Sequence, residues 1–380
     1  MRAEIKRLAR LEEGDYPFIS IYLNTKWSDE HQRERIRLFI KNELKKAYEQ
    51  IQNKEDWQKQ FLEDQKQIER FVEGLIRQNY EEGVNGWVIF SRSATNTFLT
   101  YPSIIPFENE FFISEIPILR PLTRLLSQYQ NTLVVMVETD SAKLFEISLE
   151  GMTEEISIES YVPGRHDQGG WAQMRYQRHI KYHMDRHHNE VANHLTNLFD
   201  SGKWKQIIVI GQDRIVANFK AFLPERVKQH IADSFSMDFS LPRSEILEKV
   251  FKRLVEKDSE DVGHQIKELM EKAFKKGMAH FGLNGALEAI NKSQVHTLYL
   301  LTSFSLLGAK CLKCGVLLPT STSVNKVCPI CKGGTKQVDL AEEMIRSVLR
   351  QDGEVKWANE NIILKERDGV GVSLRFPLNI

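Results

Sequence analysis

The four cysteines of this chain fall within one short span, and they constrain its fold more than any other feature. They form two Cys-x-x-Cys pairs, Cys311 with Cys314 and Cys328 with Cys331, separated by thirteen residues. Four thiolates at this spacing can converge tetrahedrally on Zn²⁺, and the neighbouring glycines leave room for backbone amides to approach the sulfurs. The sequence therefore predicts a zinc ribbon at residues 311–331.

Two disulfides and four unrelated thiols are the alternative interpretations of these cysteines. The N-terminus lacks the apolar stretch of a signal peptide, and no run of eighteen apolar residues occurs, so we expect a cytoplasmic protein without a membrane segment. Disulfides are rare in that compartment, and the pairing argues against unrelated thiols. Because four sulfur ligands leave no coordination position open for a substrate, the predicted Zn²⁺ is structural.

The length of the chain predicts several domains. At 380 residues it is too long for one typical core, and its mixed run of helical and strand patterns predicts a multidomain α/β (α+β) protein. We expect three domains, at residues 1–122, 123–240 and 241–380. The first boundary follows the proline-marked break IPILRPL, and the second lies where helical periodicity resumes near Pro242.

A glycine-rich basic stretch, GRHDQGGWAQMRYQRH at residues 164–179, precedes a long predicted helix that runs to about residue 199. Gly169 and Gly170 allow another molecule to approach the backbone closely. Positive and negative residues balance at 52 each, so any basic surface must be local. Such a tip would attract phosphate backbones, although a solvated helix face with an ordinary turn is the alternative. The basic residues of this region are Arg165, Arg175, Arg178, Lys181 and Arg186.

Three histidines on the same predicted helix, His179, His183 and His187, recur at every fourth position. Metal ligation is conceivable, but no carboxylate or second ligand set accompanies them, so we expect them to face solvent or RNA. The sequence contains no recognisable Ser-His-Asp order, Walker loop or dinucleotide fingerprint, so hydrolase or kinase chemistry of the usual kinds has no support. A second basic helix, residues 33–46, is predicted either to touch RNA phosphates or to be solvated.

These motifs together resemble the archaeal and eukaryotic peptide release factors and their relative Pelota, in particular the bacterial branch of that superfamily. In the family, a Gly-Gly-Gln loop precedes a long basic helix and continues as Gly-Gly-Gln-x-x-x-Arg-Phe-x-Arg. The matching residues here are Gly169, Gly170, Arg175, Tyr176 and Arg178.

The resemblance extends to the third domain, through the segments GLNGALEAINKSQVHTLYLL and GVGVSLRF and the cysteine pairs. It implies an N-terminal α/β domain, an RNase H-like middle domain with a glycine loop, and a ribosomal-protein-like α/β/α third domain. Archaeal members of the family carry a comparable zinc insertion in that third domain.

One departure from the family pattern concerns the loop. Trp171 stands where the family has its catalytic glutamine, and the nearest glutamine is Gln173. In the family, the loop enters the peptidyl transferase centre and helps a water molecule attack the ester between peptide and tRNA. A loop can do this by positioning water and by donating backbone N–H groups to the oxyanion. The resemblance thus implies Gly169, Gly170 and Gln173 as the catalytic residues.

A second departure concerns decoding. Stop-codon readers of the family carry an Asn-Ile-Lys-Ser loop and a Tyr-x-Cys-x-x-x-Phe element in the first domain, and this chain has neither. The resemblance therefore implies a factor of the ribosomal A site that hydrolyses peptidyl-tRNA in ribosome rescue without reading stop codons.

Two other functional classes compete with hydrolysis. A non-catalytic hibernation factor would occupy the A site of idle ribosomes, and a nuclease would cut tRNA but needs a carboxylate cluster that the sequence does not reveal. The implied partners are the ribosome, through rRNA and the tRNA acceptor end, with a translational GTPase as a further candidate. The residues expected to contact RNA are Arg165, Trp171, Arg175, Arg178, Lys181 and Arg186.

Overall fold

The chain forms two compact units in the computed structural model. The split unit comprises residues 1–128 and 258–380, and the middle unit comprises residues 129–257. The structure describes residues 1–27, 31–51, 55–77, 83–160, 171–202, 204–319 and 327–376.

The N-terminal part of the split unit is an antiparallel sheet with two long helices. Its elements are α1 (Arg2–Arg10), β1 (Phe18–Asn24), α2 (Gln32–Ile51), α3 (Glu55–Arg77), β2 (Gly86–Arg92), β3 (Thr97–Ser103), β4 (Glu110–Ser114) and α4 (Arg120–Gln128). The strand order is β3-β2-β1-β4, so β1, which is rich in β-branched and aromatic residues, lies inside the sheet and is buried. Ile40 of α2 and Ile68 of α3 belong to the core that includes β1.

The middle unit is built on a five-stranded mixed sheet. Its elements are β5 (Thr132–Val137), β6 (Ser141–Ser148), β7 (Gly151–Glu159), α5 (Trp171–Asp200), β8 (Gln206–Ile210), α6 (Asp213–Ala221), α7 (Glu225–Lys228) and β9 (Ile231–Phe235). The order is β7-β6-β5-β8-β9, with antiparallel pairs up to β5 and parallel pairs from β5 to β9. This order and these directions are those of an RNase H-like sheet, as predicted.

The C-terminal part of the split unit carries a four-stranded sheet and a small three-stranded one. The remaining elements of the chain are α8 (Arg243–Lys276), β10 (Ala279–Phe281), α9 (Leu283–Asn291), β11 (Val295–Leu301), β12 (Leu307–Cys311), β13 (Leu317–Leu318), β14 (Thr335–Asp339), α10 (Leu340–Arg350), β15 (Glu354–Ala358), α11 (Ile362–Lys365) and β16 (Val370–Leu374). The larger sheet has the order β10-β16-β11-β15, and the smaller one, which carries Cys311, has the order β13-β12-β14. The predicted multidomain α/β class is confirmed.

Buried charged groups join the two parts of the split unit. Arg346 of α10 is 2% exposed, and its guanidinium donates to the backbone carbonyls of Ala9 and Leu11. The carboxylate of Glu342 accepts hydrogen bonds from the amides of Leu119 and Arg120. Burial nevertheless raises the pKa of Glu342 to about 7.

The clustering differs from the three predicted domains, because residues on both sides of the middle unit share one compact body. The predicted boundary at residue 122 lies inside α4, and α8 contains the division between residues 257 and 258. The three-domain division stays a prediction. Among the described residues, no helix is long and apolar enough to cross a membrane.

The Arg346→Ala substitution tests this junction. It removes a buried guanidinium that donates to two backbone carbonyls and pairs with Glu13, and Arg350 alone then donates to these carbonyls. We therefore expect the free energy of unfolding to fall by about 3 kcal/mol, as measured by urea titration. Lys46→Ala removes an exposed cation paired with Glu43 and serves as the control, with an expected loss below about 0.5 kcal/mol. Equal small losses in both variants would contradict the assigned role of Arg346.

Candidate nucleic-acid interface and metal centre

Helix α5 has two halves with different surroundings. Its C-terminal half packs in the core of the middle unit, where Val191, Ala192 and Leu195 are buried with the apolar residues of the sheet. Within residues 178–186, by contrast, no residue is buried. The sheet therefore anchors one half of the helix and leaves the other half free of the core.

Two adjacent histidines mark the point where the helix enters the core. The Nε2 atom of His188 lies 3.1 Å from the carbonyl oxygen of Glu138, and its Nδ1 atom lies 3.3 Å from the side-chain amide of Asn218. A neutral imidazole satisfies both contacts, since Nε2–H donates to the carbonyl and Nδ1 accepts from the amide. Burial lowers the pKa of His188, which also favours the neutral form.

His187 corrects a prediction made from its spacing. It is 1% exposed, and its Nδ1 atom lies 2.9 Å from the hydroxyl of Ser160, so the expectation that it faces solvent or RNA is wrong. Burial lowers its pKa as well. His179 and His183 stay outside the core, with their Nε2 atoms 3.3 Å apart. The three imidazoles therefore do not form one ligand set.

Three of the predicted RNA-binding residues, Arg178, Lys181 and Arg186, are exposed on the N-terminal half of α5. Each is free of ion pairs within the part of the chain that the structure describes. They form a local cationic surface on a protein whose overall charge is balanced.

The remaining residues predicted to act in the loop lie wholly or partly outside the described part of the chain. Arg165, Gly169 and Gly170 fall outside the described residues. The backbones of Trp171, Gln173 and Arg175 belong to α5, but their side chains also lie outside the described part. The helix thus begins directly after the glycine pair. The roles predicted for these residues stay predictions.

Some of the arginines of the second basic helix, α2, contact other residues of the protein. The Arg37 guanidinium contacts the carboxylates of Glu34 and Glu73, the latter at 2.6 Å. Arg33 lies over the ring of Trp27, 5.2 Å from its centroid. The predicted RNA contact of this helix stays a prediction.

The four cysteines converge as their spacing predicts. All four Sγ atoms lie within 4.8 Å of one another, with 3.4 Å between those of Cys311 and Cys331 and 3.7 Å between those of Cys314 and Cys328. Tetrahedral zinc with bonds of about 2.3 Å holds its sulfurs about 3.8 Å apart, whereas a disulfide needs about 2.05 Å. The arrangement suits one metal ion better than two disulfides.

Local backbone structure brings the sulfurs together. β12 ends at Cys311, and the chain then turns so that the amides of Lys313 and Cys314 lie 3.4 Å from the Cys311 sulfur. These amides lower the pKa of Cys311 to about 6, which favours the thiolate that a metal requires. A Cβ atom at Gly333 would lie 2.8 Å from the Cβ of Lys313 and 3.3 Å from the Cys331 sulfur, so only glycine fits there.

The donor set therefore fits Zn²⁺ in a structural role. Cys311 and Cys328 are buried, and the other two sulfurs complete a closed set of four ligands. A bound ion would supply a cross-link between the two cysteine pairs, next to a small three-stranded sheet.

Replacing Cys311 by Ser tests the metal centre. Since three ligands hold zinc far more weakly than four, we expect the purified wild-type protein to contain about one equivalent of zinc and the variant to contain little, measured by elemental analysis. We also expect the variant to melt at a lower temperature. Ile330→Ser is the matched control, because Ile330 lies in the second cysteine pair, is 68% exposed and supplies no ligand. Full zinc content in Cys311→Ser would refute the four-cysteine site.

Comparison with known proteins gives one family match. Residues 117–253 match the family described as bacterial archaeo-eukaryotic release factor family 10. No curated protein matches the chain.

Solved structures of three related factors are similar to the chain at low identity. They are the archaeal translation termination factor aRF1 (15% identical, 98% of this chain and 96% of that chain, TM-score 0.26), Pelota of Archaeoglobus fulgidus (18%, 78% and 80%, TM-score 0.36) and Dom34 of S. cerevisiae (10%, 77% and 81%, TM-score 0.40). These TM-scores are too low to support an inference about function.

The family match spans nearly all of the middle unit, whose strand order is RNase H-like. The resemblance predicted from the glycine loop and its basic helix is therefore confirmed. Over residues 117–253, the chain is therefore similar to the bacterial branch of the archaeal and eukaryotic release factors.

Proposed function

We propose that the chain binds the ribosome as a release-factor-like protein, enters the A site and directs its diglycine loop toward the acceptor end of tRNA. The observation that supports this most is the division of α5, whose C-terminal half is anchored in the core while its N-terminal half carries exposed Arg178, Lys181 and Arg186. The family match to residues 117–253 supports the same reading.

The dimensions of the helix suit this task. At 1.5 Å per residue, the segment from Trp171 to Arg186 is about 22 Å long. A helical segment of this length places the loop at a distance from the core in which the C-terminal half of α5 is anchored. The positive side chains of the N-terminal half lower the free energy of bringing the loop close to RNA phosphates. The balanced charge of the whole chain limits the binding of nucleic acid to the rest of the protein.

The first candidate activity is hydrolysis of peptidyl-tRNA in ribosome rescue, without stop-codon reading. Water would attack the ester carbonyl carbon, and the bond from this carbon to the tRNA ribose oxygen would break, with a proton passing to that oxygen. Amides at Gly169 and Gly170 would donate to the oxyanion, and Gln173 would orient the water. The absence of both stop-codon elements from the sequence supports action on stalled ribosomes.

The second candidate is non-catalytic occupancy of the A site in idle ribosomes. It is favoured by the start of α5 at Trp171, the position of the family's glutamine. The backbone of Gln173 is already helical there, and two residues along a helix turn a side chain by about 200° around the axis. In this reading, Trp171 stacks on RNA bases and Arg175 neutralises phosphates. A translational GTPase stays a proposed partner in both cases.

The paired substitution Arg178→Ala with Arg186→Ala tests ribosome binding through α5. Since each phosphate contact contributes about 0.9 to the slope of log affinity against log salt, we expect that slope to flatten by about two units, measured with purified bacterial ribosomes. Lys249→Ala with Lys252→Ala removes the same charge from exposed positions of α8 and should leave the slope unchanged. Equal effects of both pairs would mean that α5 is not the contact.

Peptide release from ribosomes carrying peptidyl-tRNA distinguishes the two candidates. If the chain is a hydrolase, Gln173→Ala should slow release at least tenfold, about 1.4 kcal/mol in activation free energy, whereas Gln177→Ala should not. If the wild-type protein binds such ribosomes without releasing peptide, occupancy replaces hydrolysis as the function.

A further inference from the structure

A row of polar side chains continues from the basic half of α5 along its outer surface. Its members recur every third or fourth residue and are therefore neighbours on one helix face. They are Arg178, Tyr182, Arg186, Asn189, Asn193 and Asn197, all exposed. The row is about 28 Å long at 1.5 Å per residue. Its last four members, together with Glu190 and His194 of the same helix, line a shallow depression of about 310 Å³.

Folding does not explain the three asparagines of this row, Asn189, Asn193 and Asn197, which we term the asparagine ridge. Asparagine is a poor helix former, because its side chain competes for backbone hydrogen bonds. These three lie in the interior of a helix that ends at Asp200, and their side chains have no hydrogen-bond partner among the described residues. A merely solvated helix face is better built from Lys, Glu, Gln or Ala.

The chemistry of the row suits RNA. Each amide offers both a donor and an acceptor, as the ribose 2′-hydroxyl and the edges of bases do. Tyr182 is 64% exposed, and the two arginines add positive charge at one end. The row carries no aliphatic anchor of the kind on which a protein interface depends.

We propose that the asparagine ridge contacts ribose 2′-hydroxyls and base edges in the wide minor groove of double-helical RNA, while Arg178 and Arg186 neutralise its phosphates. This inference rests on the proposed function and extends it. The basic end of α5 attracts any polyanion, whereas the ridge distinguishes RNA from DNA.

The triple substitution of Asn189, Asn193 and Asn197 by Ala separates a recognition role from a structural one, because the two roles predict opposite changes. Alanine is the better helix former, so the melting temperature should rise by a few degrees. Affinity for an RNA duplex of about 20 base pairs, and for bacterial ribosomes, should fall about tenfold or more. The salt slope should stay the same, since no charge is removed.

Two comparisons control this experiment. Ser259→Ala also replaces an exposed polar side chain by alanine inside a helix, α8, and it should not weaken RNA binding. A DNA duplex of the same sequence should bind the wild-type and the triple variant with similar affinity, so that the preference for RNA is lost in the variant.

Three results for the triple variant would contradict the proposed role of the asparagine ridge. They are unchanged RNA affinity, an equal loss of affinity for RNA and DNA, and a lowered melting temperature. If only the proposed role of the asparagine ridge is wrong, the wild-type protein should still bind ribosomes, and this binding should still depend on Arg178 and Arg186. If the wild-type protein binds neither ribosomes nor the RNA duplex, the proposed function fails with it.

Discussion

The burial of one half of α5 in the core of the middle unit is the interaction on which the site depends. Val191, Ala192 and Leu195 provide the apolar contact, and His188 fixes the helix through Glu138 and Asn218. Burial lowers the pKa of this histidine, which favours its neutral form. Because the contact ends at residue 187, the preceding turns need no partner in the core and can carry charge. A helix with an apolar face along its whole length would instead lie flat on the sheet.

The split unit reaches its stability by different means. Buried Arg346 and Glu342 satisfy backbone groups that lie more than 200 positions away in sequence, so the two ends of the chain share one body. In the same unit, the four cysteines converge beside a small three-stranded sheet, where a bound ion would cross-link the two pairs. Arg346 and Glu342 stabilise the split unit because each has a defined partner. The asparagine ridge is the contrasting case, since its amides have none among the described residues.

The sequence was informative where a pattern is local. The cysteine spacing predicted the convergence of four sulfurs, because this arrangement follows from neighbouring residues. It failed for His187, since helical spacing turns by about 40° every fourth residue and carries this position from the outer face into the core. The partners of Arg346 were beyond prediction, because no local pattern encodes a contact between α10 and the N-terminus.

A cryo-electron microscopy map of the protein bound to ribosomes tests the central claim most directly. The account predicts that the N-terminal half of α5 lies among RNA helices, with Arg178 and Arg186 at phosphates and the diglycine loop next to the acceptor end of tRNA. Density in which α5 faces bulk solvent, while another surface of the protein makes the ribosomal contacts, would contradict it.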